Sequence, residues 1–279
     1  MTSSTARYCV RLVLVATTLL MFWGISTRAQ NFNQAQPTVT VFSAYAQNHK
    51  LVAKYRPPIR TRSAAGIAVY NAASPGVVLV FVGDLQGDKL TNVSLGSGVI
   101  MDSAGYVLTN WHVINGHKYA GVILKPSTPA ELSNPRTYVG EVVSENSVVD
   151  LALIKLEKPP LDLRAIPLGN MSDVQVAETI NIIGHPAGGA PWSYSTGVIS
   201  QISKDNDWSY EDGSKHEADV LQMQTAINPG NSGGPVLDDN GRLLGLVAMS
   251  TAGAQNLDFA IAINVIRNFT SQAMATAAH

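Results

Sequence analysis

Asn228-Pro229-Gly230-Asn231-Ser232-Gly233-Gly234-Pro235 sets one serine among three glycines and between two prolines. Glycine enters backbone regions closed to other residues, so such a stretch bends tightly and leaves the Ser232 side chain standing clear of it. The same bend lets the amides of Gly230 and Ser232 point into one pocket. A serine hydroxyl is a poor nucleophile until a base takes its proton, and the oxyanion it creates needs fixed N–H donors. Taken alone, the stretch also reads as a Gly-rich turn between strands.

Two further stretches bear on that choice. Leu108-Thr109-Asn110-Trp111-His112-Val113-Ile114 puts a histidine at an apolar strand end, and Val148-Val149-Asp150-Leu151-Ala152-Leu153-Ile154 puts an aspartate in an apolar run. Singly, the first is a packed core histidine and the second a turn-capping carboxylate, since a buried carboxylate needs hydrogen-bonding partners. With Ser232 they supply a base, a group that fixes the tautomer of that base, and a nucleophile. The same roles occur in other chain orders on other folds, and the order His, Asp, Ser favours two barrels.

The surrounding pattern is all-β. Short apolar runs separated by turn residues occupy 77–82, 97–101, 106–109, 121–124, 139–143, 151–156, 179–183, 196–202, 220–224, 236–237, 243–249 and 259–263. Many short strands with turns between them indicate an antiparallel barrel or sandwich rather than βαβ units. Divided near Pro159-Pro160 to Pro167, they fit two six-stranded antiparallel barrels, which periodicity alone does not distinguish from a sandwich. Asn240-Gly241 suits a two-residue type I′ hairpin. Ala64–Ala73 reads as a short helix ended by Ser74-Pro75-Gly76, and a C-terminal helix follows the last strand. Asn264 is its expected cap, with Val265, Ile266 and Phe269 on one apolar face.

The chain of 279 residues is long enough to bury a core, and its 46% apolar and 14% charged composition argues against disorder. A net charge of −1 with no long basic run gives no footprint for nucleic acid. Residues 1–29 read as an export signal: Arg7 and Arg11, then an apolar run from Leu12 to Trp23 that is shorter than the about 20 residues of a membrane span. Cleavage after Ala29 would leave no stable membrane insertion; an uncleaved N-terminal anchor is the alternative. The single cysteine, Cys9, lies in this segment, so a processed chain carries neither disulfide nor thiol chemistry. Residues 30–63 are polar and read as a linker or flexible arm, leaving 64–279 as the folded domain. Asp205, Asp207, Glu211 and Asp212 read as a solvated acidic loop, and His117, His185 and His216 lack metal-ligand spacing, so neither metal nor cofactor is expected.

Several blocks resemble the HtrA/Deg-like branch of trypsin-fold, chymotrypsin-like serine proteases. They are Ser97-Gly98-Val99-Ile100, Tyr106–Asn110 before His112, Asp150–Ile154, Ile183-Gly184-His185-Pro186, Thr196–Ser200, Ala226–Gly234 and Phe259-Ala260-Ile261. The resemblance covers roughly residues 64–268. It implies His112 as base, Asp150 as orienting group, Ser232 as nucleophile, and Gly230, Asn231 and Ser232 around the oxyanion site. It also implies an S1 pocket with Ala226 at its base, lined by Ile227 and the strand Val247-Ala248-Met249. Ala226 offers no charge to Lys or Arg, so aliphatic P1 residues are expected, with broad selectivity. Asn231 stands where zymogen-type relatives carry an aspartate, which speaks against activation by a newly cut N-terminal ammonium. Such proteins usually carry PDZ domains after the protease, and here the chain stops soon after its final helix. The segment from Gly83 to Leu95 is short beside the regulatory loop of some relatives.

The expected function is therefore a serine endopeptidase that cleaves unfolded or exported polypeptides through an acyl-enzyme, outside the cytoplasm. The resemblance leaves room for a homo-oligomer. A non-catalytic chaperone-like or binding module on the same fold is the alternative, and a processing peptidase positioned by residues 30–63 is a third reading.

Overall fold

Short runs of alternating or continuous apolar residues bounded by turns form two closed antiparallel barrels rather than a sandwich. The computed structural model describes residues 63–86, 89–128, 131, 135–187, 189–210, 212–250 and 257–277. Residues 1–29, read as an export signal, and nearly all of 30–63, read as an arm, lie outside the described residues, as do Glu211 and the side chain of Met249.

The first barrel uses β1 (Val77–Gln86), β2 (Lys89–Ile100), β3 (Tyr106–Thr109), β4 (Tyr119–Ile123), β5 (Thr137–Asn146) and β6 (Leu151–Leu156). Their order around the barrel is β1-β2-β3-β6-β5-β4. The second uses β7 (Thr179–Gly184), β8 (Ser193–Ser209), β9 (Lys215–Gln224), β10 (Pro235–Leu237), β11 (Leu243–Ser250) and β12 (Asp258–Ala262), ordered β10-β11-β12-β9-β8-β7. Three α-helices accompany the strands among the described residues: α1 (Ser63–Ala73), the one-turn α2 (Trp111–Ile114) and α3 (Ile263–Ala277). Residues 63–82, 94–125 and 137–277, where described, form one compact unit holding all catalytic candidates, while the described parts of 83–93 and 126–136 group separately.

Inward-facing Val78, Val80, Ile100, Val107, Val122 and Ile154 are fully buried in the first barrel. Each such side chain contributes about 1.5–3 kcal/mol relative to exposure. β3 pairs with β6 from Tyr106↔Lys155 to Thr109↔Ala152, which sets the chain before His112 beside the chain after Asp150.

Four local expectations need correction. The Asn240-Gly241 turn is not type I′, because Gly241 has φ +74° and Asn240 has no positive φ. The Asp238 carboxylate accepts from Asn240 N and Arg242 N, each at 2.8 Å, and dictates a wider turn. Asn264 lies within α3 rather than capping it, and its amide donates to Asp219 Oδ2 at 2.7 Å. On the same helix Val265 is half-buried, whereas Ile263, Ile266 and Phe269 face the core. Finally, β1 and β2 extend through most of the segment read as the loop Gly83 to Leu95.

Candidate active site

Helix α2 is a single turn, closed by Asn115 N donating to Trp111 O and ended by Asn115 in the left-handed region. Val113 and Ile114 are buried beneath it, and His112 points out with 24% of its side chain exposed. Asp150 sits at the entry to β6, fully buried and itself at φ +53°. A one-turn helix and a single left-handed residue, both anchored by apolar neighbours, thus bring imidazole and carboxylate together.

His112 Nδ1 lies 2.8 Å from Asp150 Oδ2, and His112 N donates to Oδ1 at 2.9 Å. A carboxylate only accepts, so Nδ1 carries the proton in this pair and Nε2 is left free to act as a base. The Asp150 carbonyl accepts from Trp111 N at 3.2 Å and from Asn110 Nδ2 at 3.0 Å. A second donor reaches Oδ2: the Tyr210 hydroxyl at 2.8 Å.

The Ser232 turn meets this pair from the second barrel. Gly230 has φ +95°, and a Cβ there would lie 2.3 Å from His185 O; Gly233 has φ +81°, and a Cβ there would lie 2.0 Å from Ser97 O. Both positions therefore demand glycine, on conformation and on space. Gly233 N donates to Val247 O at 2.9 Å, Val247 N to Gly234 O at 2.9 Å, and Ser97 N to Ser232 O at 2.7 Å. Asn231 N closes the turn onto Asn228 O at 3.0 Å, while the amides of Gly230 and Ser232 take no backbone acceptor among the described residues. Ser232 Oγ donates to Ala248 O at 3.3 Å, and among the described residues no hydrogen bond joins it to His112. Bonds between nucleophile and base are often long until substrate is held.

A buried clasp fixes the Gly230 peptide. Ser97 Oγ donates to Gly230 O at 2.8 Å and is met by His185 N at 3.2 Å and His185 Nδ1 at 3.0 Å. A hydroxyl has one proton, so both His185 nitrogens donate to it, and His185 Nε2 is a buried atom without a partner among the described residues. Burial holds the His185 imidazole at about 3, far below its ordinary 6.5, so it stays neutral. Trp192 packs edge-on against it at 4.7 Å.

Of the residues expected around the pocket, Ala226 is exposed and Ile227 half-buried, whereas Val247 and Ala248 are buried. Tyr210, Ser97 and His185 were not expected at the site. Ser97 and His185 do lie in two of the quoted blocks, whereas Tyr210 follows Trp208 in an acidic hairpin and has no signal of its own.

Residues 96–246 match a family model described as trypsin-like peptidase domain. The chain is 31% identical over 223 residues to Protease Do-like 1, chloroplastic, of Arabidopsis thaliana, covering 77% of this chain and 48% of that protein. It is 34% identical over 169 residues to the putative serine protease HhoA of Synechocystis, covering 61% and 40%. It therefore spans about half or less of these curated relatives. Among solved structures, HtrA-type protease AlgW with tripeptide aligns with TM-score 0.61 at 27% identity, covering 74% of this chain and 62% of that one. The serine endoprotease from Yersinia pestis aligns with TM-score 0.60 at 25% identity, covering 79% and 68%.

Proposed function

Because the chain belongs to the trypsin-like peptidase family and is similar to HtrA- and Do-like serine proteases, we propose that it is a serine endopeptidase with His112 as base, Asp150 as orienting group and Ser232 as nucleophile. The observation that carries the reading is the His112 Nδ1–Asp150 Oδ2 contact of 2.8 Å, placed beside a serine on a turn that only glycines can make.

In this reading Ser232 Oγ attacks the scissile carbonyl carbon as His112 Nε2 takes its proton. The oxyanion is received by the Gly230 and Ser232 amides, with Asn231 shaping the site through the turn that its amide closes. The imidazolium, held by Asp150, then protonates the departing amine and leaves an acyl-enzyme on Ser232. Water activated by His112 releases the acid and restores the hydroxyl.

The substrates in this reading are unfolded polypeptides outside the cytoplasm. Export rests on the basic and apolar N-terminal pattern. Among the described residues no helix is long and apolar enough to cross a membrane. The pocket proposal keeps Ala226 at the base, with Ile227, Val247, Ala248 and Met249 around it, and predicts cleavage after Val, Ala, Ile or Leu. Digestion of casein by the wild type and Ser232→Ala, with product termini mapped, tests both points. Termini that are mainly Lys, Arg or Glu would overturn the pocket.

A second reading, a binding module on the same fold, draws on the Ser232 hydroxyl being turned to Ala248 O. It predicts capture of unfolded casein without any Ser232-dependent product.

A further inference from the structure

We infer that Tyr210, reaching the site from the tip of the β8–β9 hairpin of the second barrel, is a positioning residue for the triad. Its hydroxyl completes the hydrogen-bond shell of Asp150, and its ring backs His112. The inference rests on the protease reading above.

A fully buried carboxylate needs its lone pairs engaged. Asp150 Oδ1 has the His112 amide, while Oδ2 is shared between His112 Nδ1 and the Tyr210 hydroxyl, each at 2.8 Å. The same hydroxyl lies 3.3 Å from Ala248 O, the carbonyl that also accepts from Ser232 Oγ. The Tyr210 ring stands 4.7 Å from the His112 ring at 54°. Burial first, and then the charge of Asp150, raise the Tyr210 phenol above its ordinary range, so it remains a donor.

The hairpin is held where it must be for this role. Glu217 N donates to Val148 O at 2.8 Å and His216 Nδ1 to Ser147 O at 2.6 Å, both just before Asp150 in the chain. The His216 ring stacks on Trp208 at 5.3 Å, meets Tyr210 at 4.8 Å and lies 5.9 Å from Trp111, the neighbour of His112. The titratable groups around Tyr210 are His112 and Asp150 from the first barrel and Asp212 and His216 from its own hairpin.

Two donors on Oδ2 disperse the carboxylate charge. Removing the phenol concentrates that charge on His112 while loosening the ring. Full-length Tyr210→Phe should therefore lose kcat by about 10-fold, the scale of one hydrogen bond to a charged group, with KM within about twofold. The acid limb of kcat/KM should move to higher pH. Replacing Tyr210 by 3-fluorotyrosine, a stronger donor of nearly the same shape, should move the limb to lower pH. Tyr194→Phe, which removes a comparable bond to Asn181 that no triad residue shares, should leave all three quantities unchanged.

Independently of turnover, the His112 Nδ1 proton resonance should move downfield in Tyr210→Phe and upfield with 3-fluorotyrosine. Inactivity of the wild type would refute the protease reading, and the resonance would still decide the role of Tyr210. Should Tyr210→Phe fail to fold, the fluorotyrosine protein decides alone. An unmoved resonance in either folded variant, or a loss of kcat matched by Tyr194→Phe, would overturn the inference.

Discussion

Asp150 occupies the left-handed region at φ +53°, a conformation that costs a non-glycine residue about 1–2 kcal/mol. Its neighbours hold it there: Trp111 N and Asn110 Nδ2 take its carbonyl, and His112 N takes Oδ1. This geometry points Oδ2 at the imidazole and fixes the tautomer that leaves Nε2 basic. On the proposed mechanism, Ser232→Ala and His112→Ala should each lower kcat by on the order of 10⁶, to background. Asp150→Asn should cost about 10⁴, because an amide favours the wrong tautomer. Steady-state assays on folded variants check this, and combining the substitutions should add little, since the groups act as a unit. The triad candidates were legible in sequence because His112 and Asp150 each sat in an apolar stretch that had no use for a polar side chain, and Ser232 sat in a glycine-rich turn that leaves its hydroxyl clear. Tyr210 was not, because its partner lies 60 residues away and only the folded hairpin brings them together.

The elements divide the same way. β3 and β6 match their apolar runs residue for residue, since burial on the barrel's inner side writes itself into the sequence. β8 instead runs to Ser209, well past the apolar segment ending at Ile202, with Asn206↔Ala218 and Trp208↔His216 pairing it to β9. Backbone pairing and a cross-strand aromatic stack sustain that extension, and neither leaves a hydrophobic period. The Asn240-Gly241 turn misled for a related reason: Asp238 rewrote it through side-chain bonds that dipeptide preference does not encode. The link between β2 and the Ser232 turn rests on Ser97, whose hydroxyl holds Gly230 O and accepts from His185. Ser97→Ala should cost about 1–3 kcal/mol of stability, the penalty for leaving buried groups unpaired. It should also lower kcat more than it raises KM, because the Gly230–Asn231 peptide, which joins the two halves of the oxyanion site, loses its anchor. Denaturant melts beside steady-state kinetics measure both, and unchanged values in both would refute the clasp.

At the scale of the whole molecule, the twelve strands close into two barrels, and the site draws His112 and Asp150 from one and Ser232 and Tyr210 from the other. His185, buried between Ser97 and Trp192, ties that arrangement to pH. Its folded-state value of about 3 lies below the unfolded 6.5, so below pH 6.5 the unfolded chain binds the proton and the folded one does not. Stability from this group is complete above about pH 6.5 and falls as pH drops toward 3. Between pH 7 and 5 the loss is roughly 2 kcal/mol at 1.36 kcal/mol per pH unit. Urea melts of wild type and His185→Gln should therefore converge by about that amount on acidification, and parallel pH dependence would contradict it. On the proposed mechanism Ser232 is a nucleophile activated by His112, which intact-mass and peptide mapping after treatment with a fluorophosphonate tests without any substrate. One adduct on Ser232 in the wild type, and none in folded His112→Ala or Ser232→Ala, is the predicted result. A folded wild type that takes no adduct, or takes it at another residue, would contradict the account.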